Sequence, residues 1–267
     1  MTTLRIDPHV HSEGSYDSSE PVELILEHAA DIGLDGVVII DHDTIHESLR
    51  AAELAADYGL LGIPGVEVST AHGHLRAVGV EELPPRREPY AHTVDWIRHN
   101  GRITILPHPF HLGVHGVRKR NIPNVDAIEA FNAWLFTGYK NRRARRFADA
   151  YGYPTVAASD AHTIPYVGRA FTEVTIPEVS RAAVTVDDVL DAIRAGSTAV
   201  QGRRAPIPMA ASHYALGAAR KSGYYAKAGT LRTVSLAKLG TLKSGYLAKS
   251  GLRRSTARLW NLMTDRR

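Results

Sequence analysis

Short hydrophobic runs alternate with amphipathic stretches through most of the chain. The runs have the length of β-strands, and the stretches between several of them have helical periodicity. Strands are predicted at Leu4–Asp7, Gly36–Ile40, Leu60–Val66, Ile103–Leu106 and Thr155–Ala158, and more weakly at Leu75–Val80, Ala127–Phe131 and Phe171–Ile176. Helices are predicted from Ser19 to about Asp31 and at His46–Tyr58, Thr93–Asn100, Tyr139–Ala150 and Val186–Ala195. This alternation predicts parallel βα units in one barrel-like α/β domain.

Polar side chains close the strongest of these hydrophobic runs. His9 and His11 are two positions apart at the end of the first run, so both imidazoles can face one metal ion. Similar groups close four later runs: Asp41-His42, Glu67, Pro107-His108 and Ser159-Asp160-Ala161-His162. Parallel strands collect their functional groups at their carboxyl ends. We therefore expect the five groups to face one shared pocket.

Composition restricts the ligands that this pocket can offer. The chain has no cysteine and 14 histidines, so disulfides and thiolate sites are excluded and histidine must supply any soft ligand. His74 directly precedes the run Leu75–Val80, which favours it over His72 as a ligand. Asp17 lies in the polar loop after the first strand, where it is either a ligand or a solvated carboxylate.

Five segments, in this order and at these spacings, resemble the polymerase and histidinol phosphatase (PHP) family over roughly residues 4–200. They are Ile6-Asp7-Pro8-His9-Val10-His11, Ile40-Asp41-His42-Asp43-Thr44, Pro64-Gly65-Val66-Glu67-Val68-Ser69, Leu106-Pro107-His108-Pro109 and Ser159-Asp160-Ala161-His162. The resemblance implies a distorted (β/α)7 barrel that binds two or three divalent metal ions and hydrolyses phosphate esters.

The resemblance also implies a role for each of nine ligands. His9 and His11, with Asp160 nearby, resemble ligands of a first metal, and Glu67 resembles the carboxylate that bridges two metals. His74 and His108 resemble ligands of the second metal. Asp17, His42 and His162 resemble the ligands of a third. Because all nine residue types are present, we expect an active enzyme.

Imidazole combined with carboxylate suits Zn²⁺, Mn²⁺ or Fe²⁺ better than Mg²⁺ or Ca²⁺. We predict catalytic roles for Glu67, Asp160 and Arg169, the last because its guanidinium can bind a phosphate through two hydrogen bonds. Asp7, Asp41 and Asp43 either orient ligand histidines or have capping and turn roles.

Charge divides the chain into two parts. Residues 1–202 contain 18 basic and 27 acidic residues, whereas residues 203–267 contain 14 basic residues and one acid. We predict a catalytic domain over residues 1–202 and a short basic C-terminal extension over 203–267. The extension repeats Lys-Ser-Gly-Tyr at Lys221 and Lys243. Three uses remain open for it: binding nucleic acid, contacting an anionic membrane surface, or packing on the acidic domain.

The predicted function is hydrolysis of phosphate esters by a metal-activated water, with a phosphorylated small molecule, a nucleotide or an oligonucleotide end as substrate. One alternative is a nucleic-acid-associated accessory module that binds through its basic extension. Another is a histidinol-phosphate-type phosphatase. We expect a cytoplasmic location, because no signal peptide opens the sequence and no apolar run approaches the ~20 residues that span a bilayer.

Overall fold

The hydrophobic runs fold as strands and most of the amphipathic stretches fold as helices, as the sequence pattern predicts. The computed structural model of the protein describes residues 1–111, 117, 122, 124–135 and 138–206. The strands there are β1 (Thr2–Val10), β2 (Gly36–Ile39), β3 (Leu61–Gly62), β4 (Gly65–Thr70), β5 (Gly73–Val78), β6 (Ile103–Leu106), β7 (Ala127–Asn132), β8 (Thr155–Ala158), β9 (Ala170–Ile176) and β10 (Thr198–Gly202). The α-helices there are α1 (Val22–Asp31), α2 (His46–Leu54), α3 (Tyr90–His99), α4 (Tyr139–Tyr151) and α5 (Val186–Arg194).

The strands form two mixed five-stranded sheets. The first has the order β10-β9-β1-β2-β3 and the second the order β4-β5-β6-β7-β8. Neighbours joined through a helix, such as β1 with β2 and β7 with β8, are parallel. In contrast, β4 and β5 are antiparallel, as are β1 and β9. The α/β class is confirmed, and the predicted parallel βα pairing holds for these helix-linked neighbours but not for β4 with β5 or β1 with β9.

A closed (β/α)7 barrel is not confirmed in the part of the chain that the structure describes. Isolated parallel bridges, Val10 with Ala161 and His42 with Glu67, link the two sheets near strand ends. The physical reason lies in the connections between strands. The turn between β4 and β5 is too short for the crossover of a dozen or more residues that parallel neighbours need. β9 is reached without an α-helix and pairs antiparallel with β1.

Several predicted elements have different boundaries in the structure, and two of the differences occur at prolines. The single strand predicted at Leu60–Val66 is divided into β3 and β4 on either side of Ile63 and Pro64. Proline has no N–H to donate to a sheet ladder, which explains the interruption. The helix predicted from Ser19 begins at Val22, and Pro21 is its N-cap residue.

The hydrophobic core surrounds the sheets on several sides. One cluster joins α1 to β2 through residues such as Ile25 and Ile39. A second includes Ile6, Ile105 and Ile193, and therefore connects both sheets with α5. A third packs α3 and α4 against the second sheet. These clusters hold the strands in place, and the polar residues at the strand ends are fixed with them.

No helix within the described residues is long and apolar enough to cross a membrane. The basic extension lies almost entirely outside the described residues, since the description ends at Pro206. The domain division at Gly202, the role of the extension and the cytoplasmic location stay predictions.

Candidate metal centre

The fold brings all nine predicted ligands together. His9 is the penultimate residue of β1 and His11 directly follows the strand. Their i, i+2 spacing points both imidazoles to one side, and their Nε2 atoms are 3.1 Å apart. Four groups each place their donor atoms within 4.8 Å of one another. The groups are His11 with Asp17, His42 and His162; His9 with His108 and Asp160; His9 with His11 and Glu67; and His42 with Glu67 and His74.

Glu67 lies at the centre of this arrangement, and its two carboxylate oxygens face different imidazoles. Oε1 is 3.2 Å from His108 Nε2 and 3.8 Å from His9 Nε2. Oε2 is 2.9 Å from His42 Nδ1 and 3.1 Å from His74 Nδ1. The side chain is almost fully buried. A carboxylate with this placement can bind one cation through each oxygen.

His74 reaches the cluster from the start of a strand rather than from its carboxyl end. β4 and β5 are antiparallel, and Ser69 pairs with His74 in their register. The start of β5 therefore lies beside the end of β4, close to Glu67. His72 lies in the exposed turn, where its Nδ1 accepts a hydrogen bond from Tyr90 N. The preference for His74 over His72 agrees with this placement.

Asp160 and Asp17 complete two sides of the cluster. Asp160 Oδ1 is 3.4 Å from Nε2 of both His9 and His11. Asp17 Oδ2 is 3.3 Å from His42 Nε2 and 3.4 Å from His162 Nε2. His108 groups with His9 and Asp160 rather than with His74, which differs from the grouping implied by the family resemblance.

Two residues of the cluster have backbone conformations with positive φ, His108 at 28° and Asp160 at 56°. Such conformations are uncommon for residues other than glycine and cluster at functional sites. Each lies two residues after the end of a strand, His108 after β6 and Asp160 after β8. The sharp change of backbone direction there accompanies the turn of both side chains into the cluster.

The donor set fits divalent cations better than it fits a hydrogen-bonded network. Glu67 Oε2 is buried and accepts no hydrogen bond, although two imidazole nitrogens lie within 3.1 Å of it. The Nε2 atoms of His9 and His11 are also close enough for the lone pair of each to bind the same cation. Borderline metals such as Zn²⁺ accept this combination of imidazole and carboxylate.

The electrostatics favour ionised carboxylates. Burial opposes ionisation of Glu67, but the imidazoles of His74 and His42 outweigh it and hold the pKa of Glu67 well below its usual value. Burial, reinforced by the nearby His162, lowers the pKa of His11 to about 3. Burial also disfavours the charged form of His42, but the carboxylates of Glu67 and Asp17 raise its pKa well above the usual value. The cluster is therefore built to hold positive charge between carboxylates.

A buried second layer, not found from the sequence, supports the cluster. Glu129 Oε1 is 3.1 Å from His9 Nδ1, and Oε2 accepts a hydrogen bond of 2.6 Å from His108 N. Asn132 Nδ2 donates to both Glu129 and Asp160. Arg76 is fully buried, donates to Pro8 O and pairs with Glu129 at 3.3 Å. The sequence did contain a signal for this layer, because Glu129 and Asn132 lie within β7 and near its end.

The three aspartates considered as orienting residues contact other groups. Asp7 accepts hydrogen bonds from Ser159 N and Gly168 N. Asp41 accepts from the backbone and hydroxyl of Ser12, and Asp43 accepts from Ser69 N. All three anchor backbone segments around the cluster, which agrees with the alternative of turn roles. Glu129 Oε1, 3.1 Å from His9 Nδ1, is instead placed to orient a candidate ligand histidine.

The described side-chain contacts of Arg169 are with residues outside the cluster. Its Nη2 donates to Arg204 O at 3.1 Å, and its guanidinium lies 5.8 Å from the centre of the Tyr166 ring. It lines a separate cavity that none of the nine candidate ligands lines. Its predicted catalytic role therefore receives no support from a contact with the cluster.

Comparison with known proteins gives partial matches in sequence and broader ones in fold. The family model described as PHP-associated matches residues 138–198. An uncharacterized protein of Methanocaldococcus jannaschii is 30% identical over 103 residues, which are 34% of this chain and 41% of that protein. The chain thus spans less than half the length of this curated relative.

Two solved structures show the same fold at low sequence identity. A two-domain protein from Bacteroides vulgatus, containing a predicted PHP-like metal-dependent phosphoesterase, is 20% identical with a TM-score of 0.62. That match covers 76% of this chain and 65% of the other. PsfC from Pseudomonas syringae is 17% identical with a TM-score of 0.60, covering 83% of this chain and 99% of PsfC.

The second layer generates a prediction for Glu129→Gln. The amide cannot accept from His9, His108 and Asn132 together, and it removes the negative charge beside Arg76. We expect metal affinity to fall by about tenfold or more, the effect typical of losing a group that orients a metal ligand. Competition with a chromogenic chelator measures the affinity.

Asp126→Asn is the matched control, because Asp126 is a largely buried carboxylate at the start of β7. It accepts from Thr104 N and pairs with Arg98, away from the cluster. This variant should lose stability without losing metal. If both variants lost metal in proportion to their loss in free energy of unfolding, Glu129 would act only through the stability of the fold.

Proposed function

We propose that the protein is a metal-dependent phosphoric ester hydrolase, acting on nucleotides or the ends of oligonucleotides. The observation that carries the proposal is the position of Glu67, whose two oxygens each face a separate pair of imidazoles. The eight other ligand candidates complete the groups around it. Cation sites that share one bridging carboxylate are suited to phosphoryl chemistry, where charge on attacking and leaving oxygens must be neutralised.

Divalent ions bound in such a centre supply an activated water and polarise the phosphoryl oxygens. The residues of the chain do the rest. Glu67 would separate and balance the positive charges, and His9, His11 and Asp160 would hold one side of the centre. Asp17, His42 and His162 would hold the other side. Six imidazoles and three carboxylates favour Mn²⁺, Zn²⁺ or Fe²⁺ in this centre.

Support for a nucleotide substrate comes from an aromatic ring at the cluster and from the charge of the extension. Tyr16 stacks on His42 with ring centres 4.8 Å apart, and the residue is 41% exposed. An exposed aromatic face beside the centre can stack on a base. The extension of residues 203–267 carries a formal charge of +13, which favours polyanionic substrates.

The two alternatives receive less support. An accessory module without catalysis does not need nine intact donor residues in contact with one another. A histidinol-phosphate-type phosphatase would have the same metal centre. However, no group among the described residues is assigned to recognising the imidazole ring of such a substrate. Turnover of an aryl phosphate by the purified protein separates the accessory module from both enzymes.

The proposed function predicts the metal content of the protein. We expect at least two transition-metal ions per chain after purification with added Mn²⁺ or Zn²⁺, because the four donor groups cluster around more than one point. Elemental analysis measures the content. A value below one ion per chain would contradict the proposed centre.

Replacing the bridging carboxylate gives a sharper test. Glu67→Gln is nearly isosteric but neutral, so it cannot balance two dications, and phosphate release from an aryl phosphate should fall to background. Circular dichroism should show an intact fold. Glu88→Gln, at an exposed glutamate outside the cluster, should retain full turnover. Near-normal turnover of Glu67→Gln at full metal content would show that Glu67 is not the bridge.

The basic extension is tested in the full-length chain by neutralising four lysines, Lys221, Lys227, Lys243 and Lys249, to glutamine. If the extension delivers polyanions, kcat/KM should fall much more for an oligonucleotide than for a small phosphomonoester. Only a long substrate gains from many cationic contacts, each of which releases counterions. The difference should be large at low salt and small at physiological salt.

Equal losses for both substrates would indicate that the extension packs on the catalytic domain. No loss for either substrate would favour the membrane alternative. In that case, the unsubstituted protein should sediment with anionic vesicles and not with neutral ones. The same four substitutions should reduce its sedimentation with the anionic vesicles.

A further inference from the structure

A second cavity of about 550 Å³ lies apart from the metal centre. Its walls come from β1, the end of α1, the turn before β9, and the paired strands β9 and β10. Its lining includes Arg5, Ile32, Arg169, Phe171, Gln201 and Arg203. A cavity of this size falls in the range of small-molecule sites, about 300–1,000 Å³.

Three arginines line this cavity, and no acidic residue does. Within the described part of the chain, none of the three has a carboxylate within ion-pair distance, whereas Arg50, Arg98, Arg102, Arg181 and Arg194 all have one. Glu173 is opposite Arg5 in the β1–β9 register, but its described contact is with Gln201 Nε2. The cavity therefore concentrates positive charge without an internal counter-ion.

Backbone carbonyls hold two of these guanidinium groups in place. Arg5 Nη1 donates to Gly33 O at 3.0 Å, and its guanidinium stacks 4.5 Å above the Phe171 ring. Arg169 Nη2 donates to Arg204 O, and Arg169 Nε is buried without a hydrogen-bond partner. A guanidinium has five N–H donors, so most donors remain for an anion. The backbone of Arg203 is held beside Arg169, because its N–H donates a hydrogen bond to Arg169 O.

We propose that this cavity binds the phosphate group of a small organic phosphate. The three guanidinium groups would take the phosphate, since their planar forks match its oxygens. The apolar walls, which include Ile32 and Phe171, would pack against the organic part of the ligand. Arg5 lies four residues before His9 on β1, about 13 Å along an extended strand, so the cavity is a separate site.

The cavity shares a chain segment with the metal centre. Asp7 accepts from Ser159 N at 3.0 Å and from Gly168 N at 2.9 Å, and so fixes both ends of the connection between β8 and β9. That connection carries Asp160 and His162 toward the centre. Its last residues, Val167 and Gly168, line the cavity. A ligand in the cavity thus contacts the segment that supplies two candidate metal ligands.

Calorimetric titration of the full-length, metal-loaded protein with phenylphosphonate tests the proposal. This probe has a phosphate-like anion on an apolar ring and no ester bond to hydrolyse. Arg169→Gln and Arg203→Gln should each weaken one class of binding site by about tenfold, as expected from losing a charge-assisted hydrogen bond. Metal content should be unchanged in both variants. Arg102→Gln, an arginine paired with Asp187 outside the cavity, is the charge-matched control.

Ile32→Ser tests the apolar wall, and Ile32 is sufficiently exposed for the change to leave the fold intact. It should weaken phenylphosphonate binding and leave inorganic phosphate binding unchanged. Equal effects on both probes would overturn the assignment to organic phosphates. Unchanged binding in Arg169→Gln and Arg203→Gln, or the same loss in Arg102→Gln, would overturn the site itself. Loss of turnover alone would bear only on the metal centre.

Discussion

The structure depends on how a buried set of charges is balanced. Isolated charges are costly to bury, and buried charges are therefore paired or bound to metal ions. Glu67 and Asp160 are held ionised by the imidazoles around them, and the same carboxylates raise the pKa of His108 despite its burial. This mutual compensation fixes which strand ends must meet. Removing one partner would leave a buried charge that the rest of the fold cannot solvate.

The buried pair of Arg76 and Glu129 extends this balance below the candidate metal centre. Breaking such a pair by removing one partner typically costs about 3–5 kcal/mol, because the remaining charge stays buried. Here Glu129 also contacts His9 and His108, and Asn132 links it to Asp160. Stability and function are therefore joined in the same residues. The orientations of His9 and His108 depend on the pair of Arg76 and Glu129, and loss of either partner would destabilise the fold.

The fold divides these tasks between its two sheets. The first sheet supplies His9 and His11 through β1, and the second supplies Glu67, His74 and Glu129 through β4, β5 and β7. The bridge between His42 and Glu67 joins the sheets at the centre itself. The proposed anion cavity lies on the first sheet, and the connection from β8 to β9 links it to the centre.

The sequence by itself predicted the strands and helices closely, because period and length depend on local patterns that survive tertiary packing. It also predicted the nine polar residues that the structure groups together, since His-x-His and the strand-end motifs are local signals. Tertiary structure decided what depends on long-range register. In the structure, β5 runs antiparallel to β4, and this direction brings His74 close to Glu67. The described strands form two sheets and not the predicted closed barrel. Arg169 lines another cavity. Tertiary structure also brought Arg76 and Glu129 together, because a pairing between residues far apart in the chain leaves no periodic trace in the sequence.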